Sequence, residues 1–111
     1  MEDSVLQWFR TALDSIFGGR LERAVLFGSR ARGNARPDSD YDIAVFFRDP
    51  VLVDEEADRM AEFGIDILLT TGAVINPVRL PAGRWGERTA FMGELRRDGI
   101  ELLAPSSSYG V

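Results

Sequence analysis

The chain has 111 residues, 45% of them hydrophobic, a net charge of −5, and neither cysteine nor histidine. That length allows one hydrophobic core and hence one domain, expected over residues 1–104 with a flexible tail at 105–111. The missing residue types exclude disulfides, thiolate metal sites and imidazole base catalysis, and the negative balance argues against direct nucleic-acid binding.

Residues 4–17 read as an amphipathic helix, with Val5, Leu6, Phe9, Leu13, Ile16 and Phe17 on one stripe. Asp3 or Ser4 can cap its start and Gly18-Gly19 can end it. A strand follows at about 22–27 and a second at about 40–47. Between them runs the most informative segment of the chain. A glycine turn, Gly28-Ser29-Arg30-Ala31-Arg32-Gly33, leads through a polar loop to Ser39-Asp40-Tyr41-Asp42.

In a strand, alternate side chains share a face. Asp40 and Asp42 therefore point one way with Ala44 and Phe46, and Tyr41, Ile43, Val45 and Phe47 point the other way into a core. Two carboxylates on one open face repel each other, and a divalent cation between them removes the repulsion. Oxygen-only donors suit Mg²⁺, which completes its shell with water and substrate phosphates. Gly28 allows close approach of backbone to a phosphate, and the Ser29 hydroxyl and nearby N–H groups can donate to its oxygens. Arg30, Arg32 and Arg36 concentrate positive charge beside this place in an otherwise acidic chain.

This segment resembles the signature of the DNA polymerase β-like nucleotidyltransferase superfamily, a Gly-Ser pair followed by Asp-x-Asp. Within it the chain is similar to minimal nucleotidyltransferase (MNT) domains, whose pattern G-S-x-A-R-G then S-D-x-D is met by Gly28, Ser29, Ala31, Arg32, Gly33, Ser39, Asp40 and Asp42. The resemblance implies an α+β fold, a small mixed sheet flanked by helices around a palm-like core. It implies Asp40 and Asp42 as catalytic metal ligands for Mg²⁺, with Gly28, Ser29, Arg32 and Arg36 on the phosphates of ATP or another nucleoside triphosphate. It further implies a third carboxylate on the next strand, acting as a base.

Two readings of residues 61–80 bear on that third group. A helix begins near Asp54, with Asp54, Glu55 and Glu56 in its first turn. In one reading Ile65 to Leu69 is a strand and Asp66 is the third carboxylate. In the other, preferred here, the helix runs on until Thr71-Gly72 stops it, and the strand is Val74 to Leu80. Val74 then takes the acidic position, and Asn76, which shares its face, cannot serve as a base. A last helix is expected from Glu87 to Arg97 and a last strand from Ile100 to Leu103, with Trp85 as a candidate partner contact.

The resemblance implies a cytoplasmic antitoxin that transfers AMP to a HEPN-type toxin partner, the acceptor being supplied by that partner. A nucleotide-binding or steric antitoxin without transfer, and a small-molecule adenylyltransferase acting as a homo-oligomer, are the alternatives. No membrane association is expected, since no apolar stretch approaches the length of a span and no signal peptide opens the chain.

Overall fold

The computed structural model describes residues 3–49 and 54–103; the expected tail at 105–111 lies outside them. Helix α1 covers Ser4–Phe17, strand β1 Leu21–Phe27, the short helix α2 Ser29–Arg32 and strand β2 Tyr41–Phe47. Helix α3 covers Asp54–Thr71, strand β3 Ile75–Pro81, helix α4 Ala90–Asp98 and strand β4 Ile100–Glu101. The four strands form one mixed sheet in the order β3-β2-β1-β4. β1 runs antiparallel to β2 and β4, and β2 runs parallel to β3. The α+β class with a small mixed sheet flanked by helices is as the sequence leads one to expect.

Local chemistry sets most of these boundaries. Asp3 caps α1, its Oδ1 accepting from the N–H groups of Val5 (2.9 Å) and Leu6 (3.4 Å). Val5, Phe9, Ala12, Leu13 and Phe17 form the buried stripe of α1. β1 contains a register shift between Leu21 and Arg23. That bulge puts odd-numbered Leu21 on the same face as even-numbered Ala24 and Leu26, all three buried in one cluster.

Two cores lie on opposite faces of the sheet. On one, α1 and α3 cover Tyr41, Ile43, Val45 and Phe47, with Ile67 of α3 fully buried among them. On the other, Met92 and Leu95 of α4 pack on Val25, Ala44, Phe46 and Leu80. The strand alternation expected for β2 holds. The second face is closed over Ala44 and Phe46 by α4 and by Trp85 of the turn at 82–86, and is open at its Asp42 end. Each such large apolar side chain contributes roughly 1.5–3 kcal/mol on burial.

The end of α3 resolves the two readings of residues 61–80. The helix continues to Thr71, whose Oγ1 donates to the Ile67 carbonyl (2.7 Å) and accepts from the Ala73 N–H (3.1 Å). Gly72, at φ 81°, closes it by donating to the Leu68 carbonyl. The strand reading of Ile65 to Leu69 is therefore overturned: a continuous helix with a threonine–glycine stop occupies that stretch. α4 starts later than expected, at Ala90, because the Thr89 hydroxyl caps the Met92 N–H (3.2 Å) and residues 82–86 form a 3₁₀ turn. β4 is correspondingly brief, ending at Glu101 rather than Leu103. Trp85 is half-buried in that turn, edge-on to Phe46 (5.5 Å between centroids) and under the Arg23 guanidinium (4.2 Å). Among the described residues, no helix is long and apolar enough to cross a membrane.

Gly99 joins α4 to β4 in a space with no room for a side chain. A Cβ there would stand 2.4 Å from both the Leu95 carbonyl oxygen and Val25 Cγ1. Gly93, inside α4, has nothing within 4 Å of such a Cβ. Gly99→Ala is expected to destabilise the fold by about 1–3 kcal/mol. Gly93→Ala should stabilise it by roughly 0.5–1 kcal/mol. Urea denaturation of the two variants beside the parent checks both signs.

Candidate active site

The site is built at the one end of the sheet that α4 leaves open. β1 delivers the chain to Gly28, which turns at φ 76° and caps α2 without a side-chain contact of its own. The antiparallel pairing sets Phe27 opposite Asp42, so the turn lies against that carboxylate. The contact is close: a Cβ on Gly28 would sit 2.7 Å from Asp42 Oδ2. Glycine is thus required here twice, for the backbone angle and for the space that the carboxylate fills.

Asp42 is half-buried, and Asp40, immediately before β2, is exposed. They converge with Asn76, which the parallel β2–β3 pairing places directly beside Asp42. Asn76 Nδ2 donates to Asp40 Oδ2 (2.8 Å) and to Asp42 Oδ1 (3.4 Å). Gly28, Asp40, Asp42 and Asn76 form the heart of the site, with Ser29 following on the first turn of α2. The carboxylates of Asp40 and Asp42 offer only oxygens, which fit a hard divalent cation such as Mg²⁺. Among the described residues there is no group of three or more His, Cys, Asp and Glu that could hold an ion. The pair would therefore hold one only together with water and phosphate oxygens.

The three arginines of the loop have different surroundings. Arg30 is a structural staple: Nε donates to the Ser39 carbonyl (2.8 Å), Nη2 to that of Pro37 (3.1 Å), and the guanidinium lies 3.9 Å over the Tyr41 ring. Arg32 reaches the α4 side, 3.5 Å from Glu94, with both side chains substantially exposed. A pair so placed is weak and can be exchanged for a phosphate. Arg36 is exposed, and its backbone N–H donates to Ser39 Oγ (2.9 Å), shaping the turn before Asp40.

Asp66 does not join this group. It is an exposed residue of α3, and α3 packs on the face of Ile43 and Val45, opposite to the face that carries Asp42. Helical continuation to Thr71 makes Asp66 a solvent-facing residue; the place beside Asp42 falls to Asn76. Tyr41 is not available as a base either. Its hydroxyl donates to Asp3 Oδ2 (3.0 Å) on the α1 side of the sheet. Burial, then the hydrogen bond and charge of Asp3, push its pKa above the ordinary tyrosine value, against a smaller opposing effect of Arg30. Asn76 as a direct neighbour of both carboxylates emerges only from the strand register. Its sole signal in the sequence is the even spacing from Val74.

A separate groove of about 480 Å³ runs between α3 and β3, lined by Met60, Gly64, Leu68, Ile75 and Pro77 among others. It lies on the far side of the sheet from the carboxylates, which stand open at the sheet end.

Comparison with known proteins bears on this arrangement. The nucleotidyltransferase domain family matches residues 6–92. A protein of Methanocaldococcus jannaschii named "Putative protein adenylyltransferase" is 34% identical over 77 residues, which are 69% of this chain and 71% of that protein. A crystal structure of a toxin–antitoxin with AMP-PNP aligns at TM-score 0.62 and 19% identity, over 93% of this chain and 76% of the other. A mutant of the toxin–antitoxin MntA-HpeT aligns at TM-score 0.55 and 18% identity, over 87% of this chain and 70% of the other. At such identities the two structures speak for the fold, while the family match spans the glycine turn and both carboxylates. The chain belongs to the nucleotidyltransferase domain family and is a nucleotidyltransferase.

Proposed function

We propose that this chain, as a single MNT domain over residues 1–104, transfers AMP from ATP to a hydroxyl of a HEPN-type toxin partner in the cytoplasm and so acts as its antitoxin. The observation that carries the reading is the meeting of Asp40 and Asp42 against Gly28 at the exposed end of the sheet. Their exposure suits an acceptor presented on another protein, since the α3–β3 groove belongs to the opposite face. The name of the M. jannaschii relative and the AMP-PNP-bound toxin–antitoxin support the choice of nucleotide and partner.

In this reading Asp40 and Asp42 hold Mg²⁺, which when bound offsets the charge of the triphosphate. Gly28 and Ser29 orient the outer phosphates through backbone N–H groups and the Ser29 hydroxyl. Arg32 leaves Glu94 for the departing pyrophosphate, and Arg36 adds positive charge beside it. The acceptor oxygen forms a bond to the α-phosphorus as the bond to the bridging oxygen of pyrophosphate breaks, and the hydroxyl proton passes to solvent water at this open site. Transfer at the α-phosphorus is nucleotidyl transfer at a diester centre, to which the site contributes positioning and electrostatic stabilisation of the developing charge. A site with an amide beside Asp42 is compatible with that chemistry.

One observation favours a second reading. Asn76 cannot take a proton from the acceptor, and a chain that holds nucleotide without transferring it would neutralise its partner by binding alone.

Incubating the chain with ATP, Mg²⁺ and a co-expressed HEPN partner, followed by intact-mass analysis, separates the two. The expected result is a gain of AMP on the partner, reduced by about a hundredfold or more in Asp42→Asn. A tight complex with no mass gain would establish the binding-only reading. Separately, Gly28→Ala should lower nucleotide affinity by about tenfold or more in calorimetry while the far-UV spectrum is retained, since its Cβ displaces the Asp42 carboxylate.

A further inference from the structure

Asn76 is positioned by the register of the sheet. The β2–β3 ladder sets it level with Asp42, and the exposed amide then spans the mouth of the carboxylate pair. Its single NH₂ group serves oxygens of both acids, at 2.8 Å to Asp40 and 3.4 Å to Asp42. An amide nitrogen is a donor only, so in this orientation it can satisfy the carboxylates but cannot ligate a cation. A divalent ion approaching the pair needs the same oxygens.

We propose that Asn76 is an internal competitor for the divalent ion, so that the ion alone is held weakly and enters firmly only in company with nucleotide. The inference rests on Asp40 and Asp42 being the ion's ligands. A small hydrated cation gives up water reluctantly, and two carboxylates already bridged by an amide offer little in exchange. A nucleotide complex brings phosphate oxygens of its own and a second anchorage at Gly28 and Ser29. The ion then needs only one oxygen from each acid, and the amide can turn aside. The opposite role, Asn76 as a ligand through Oδ1 after a half-turn of the amide, predicts the opposite sign for its removal.

The probe is Mn²⁺, titrated into the 111-residue chain and followed by the electron paramagnetic resonance signal of the free ion. Without nucleotide, Asn76→Ala is expected to tighten Mn²⁺ binding roughly two- to tenfold, the span of a single hydrogen bond. Asn76→Asp should tighten it about tenfold or more, by adding a third charge. With AMP-PNP present, parent and Asn76→Ala should differ by less than about twofold. In thermal melts without divalent ion, Asn76→Ala should unfold at a lower temperature than the parent and regain the difference on Mn²⁺ addition. Weaker Mn²⁺ binding by Asn76→Ala would make Asn76 a ligand and overturn the proposal, as would an unchanged affinity. Asp42→Asn, run in parallel, tests the premise: retained Mn²⁺ affinity there would place the ion elsewhere, an outcome distinct from either result at position 76.

Discussion

Strand β2 is covered on both faces, and most of the molecule follows from that constraint. Ile43, Ala44, Val45 and Phe46 have no exposed surface, the odd residues under α1 and α3 and the even ones under α4 and Trp85. A strand buried on both sides cannot slip in register without exchanging the contents of two cores. Its N-terminal end is consequently fixed to within a residue, and that end carries Asp40 and Asp42. The position of the carboxylates is set by apolar packing several residues away from them.

The same burial explains why the charges at the site survive. Asp40 is exposed and Asp42 only half-buried, so neither acid carries the full penalty of desolvation. The Asn76 amide and the glycine turn occupy the sides from which a bulkier neighbour would press. Arg30, the basic residue nearest in sequence to the turn, is directed to the other side of the sheet, where it secures the loop and the Tyr41 ring. Arg32, by contrast, has only an exposed and weak pairing with Glu94 to give up to an anion.

Much of this was legible in the sequence. The stripe of α1, the alternation of β2 and the glycine turn all express local periodicity or local backbone need, and a single chain displays such signals directly. The end of α3 was legible too, in Thr71 and Gly72, once the competing strand pattern of Ile65 to Leu69 was set against them. What could not be read was pairing between segments far apart in the chain. The neighbourhood of Asn76 and Asp42 depends on the β2–β3 register across an 18-residue helix, and no local pattern records it. The late start of α4 has a similar cause: Trp85 takes part in the second core with Phe46 and Arg23, which holds the preceding turn out of the helix.

Strand β3 closes one edge of the sheet and contains Pro77 and Pro81. The Val74 carbonyl accepts from the Tyr41 N–H, so even-numbered residues here turn their backbone toward β2 and odd-numbered ones turn it outward. Both prolines are odd-numbered, and both remove an outward N–H. From Pro77 to Pro81 the edge keeps one outward backbone donor, at Arg79. Such an edge is a poor template for a further strand, whether from another copy of the chain or from a misfolded one. Growth of the sheet past β3 is thus opposed by the two prolines of its edge strand.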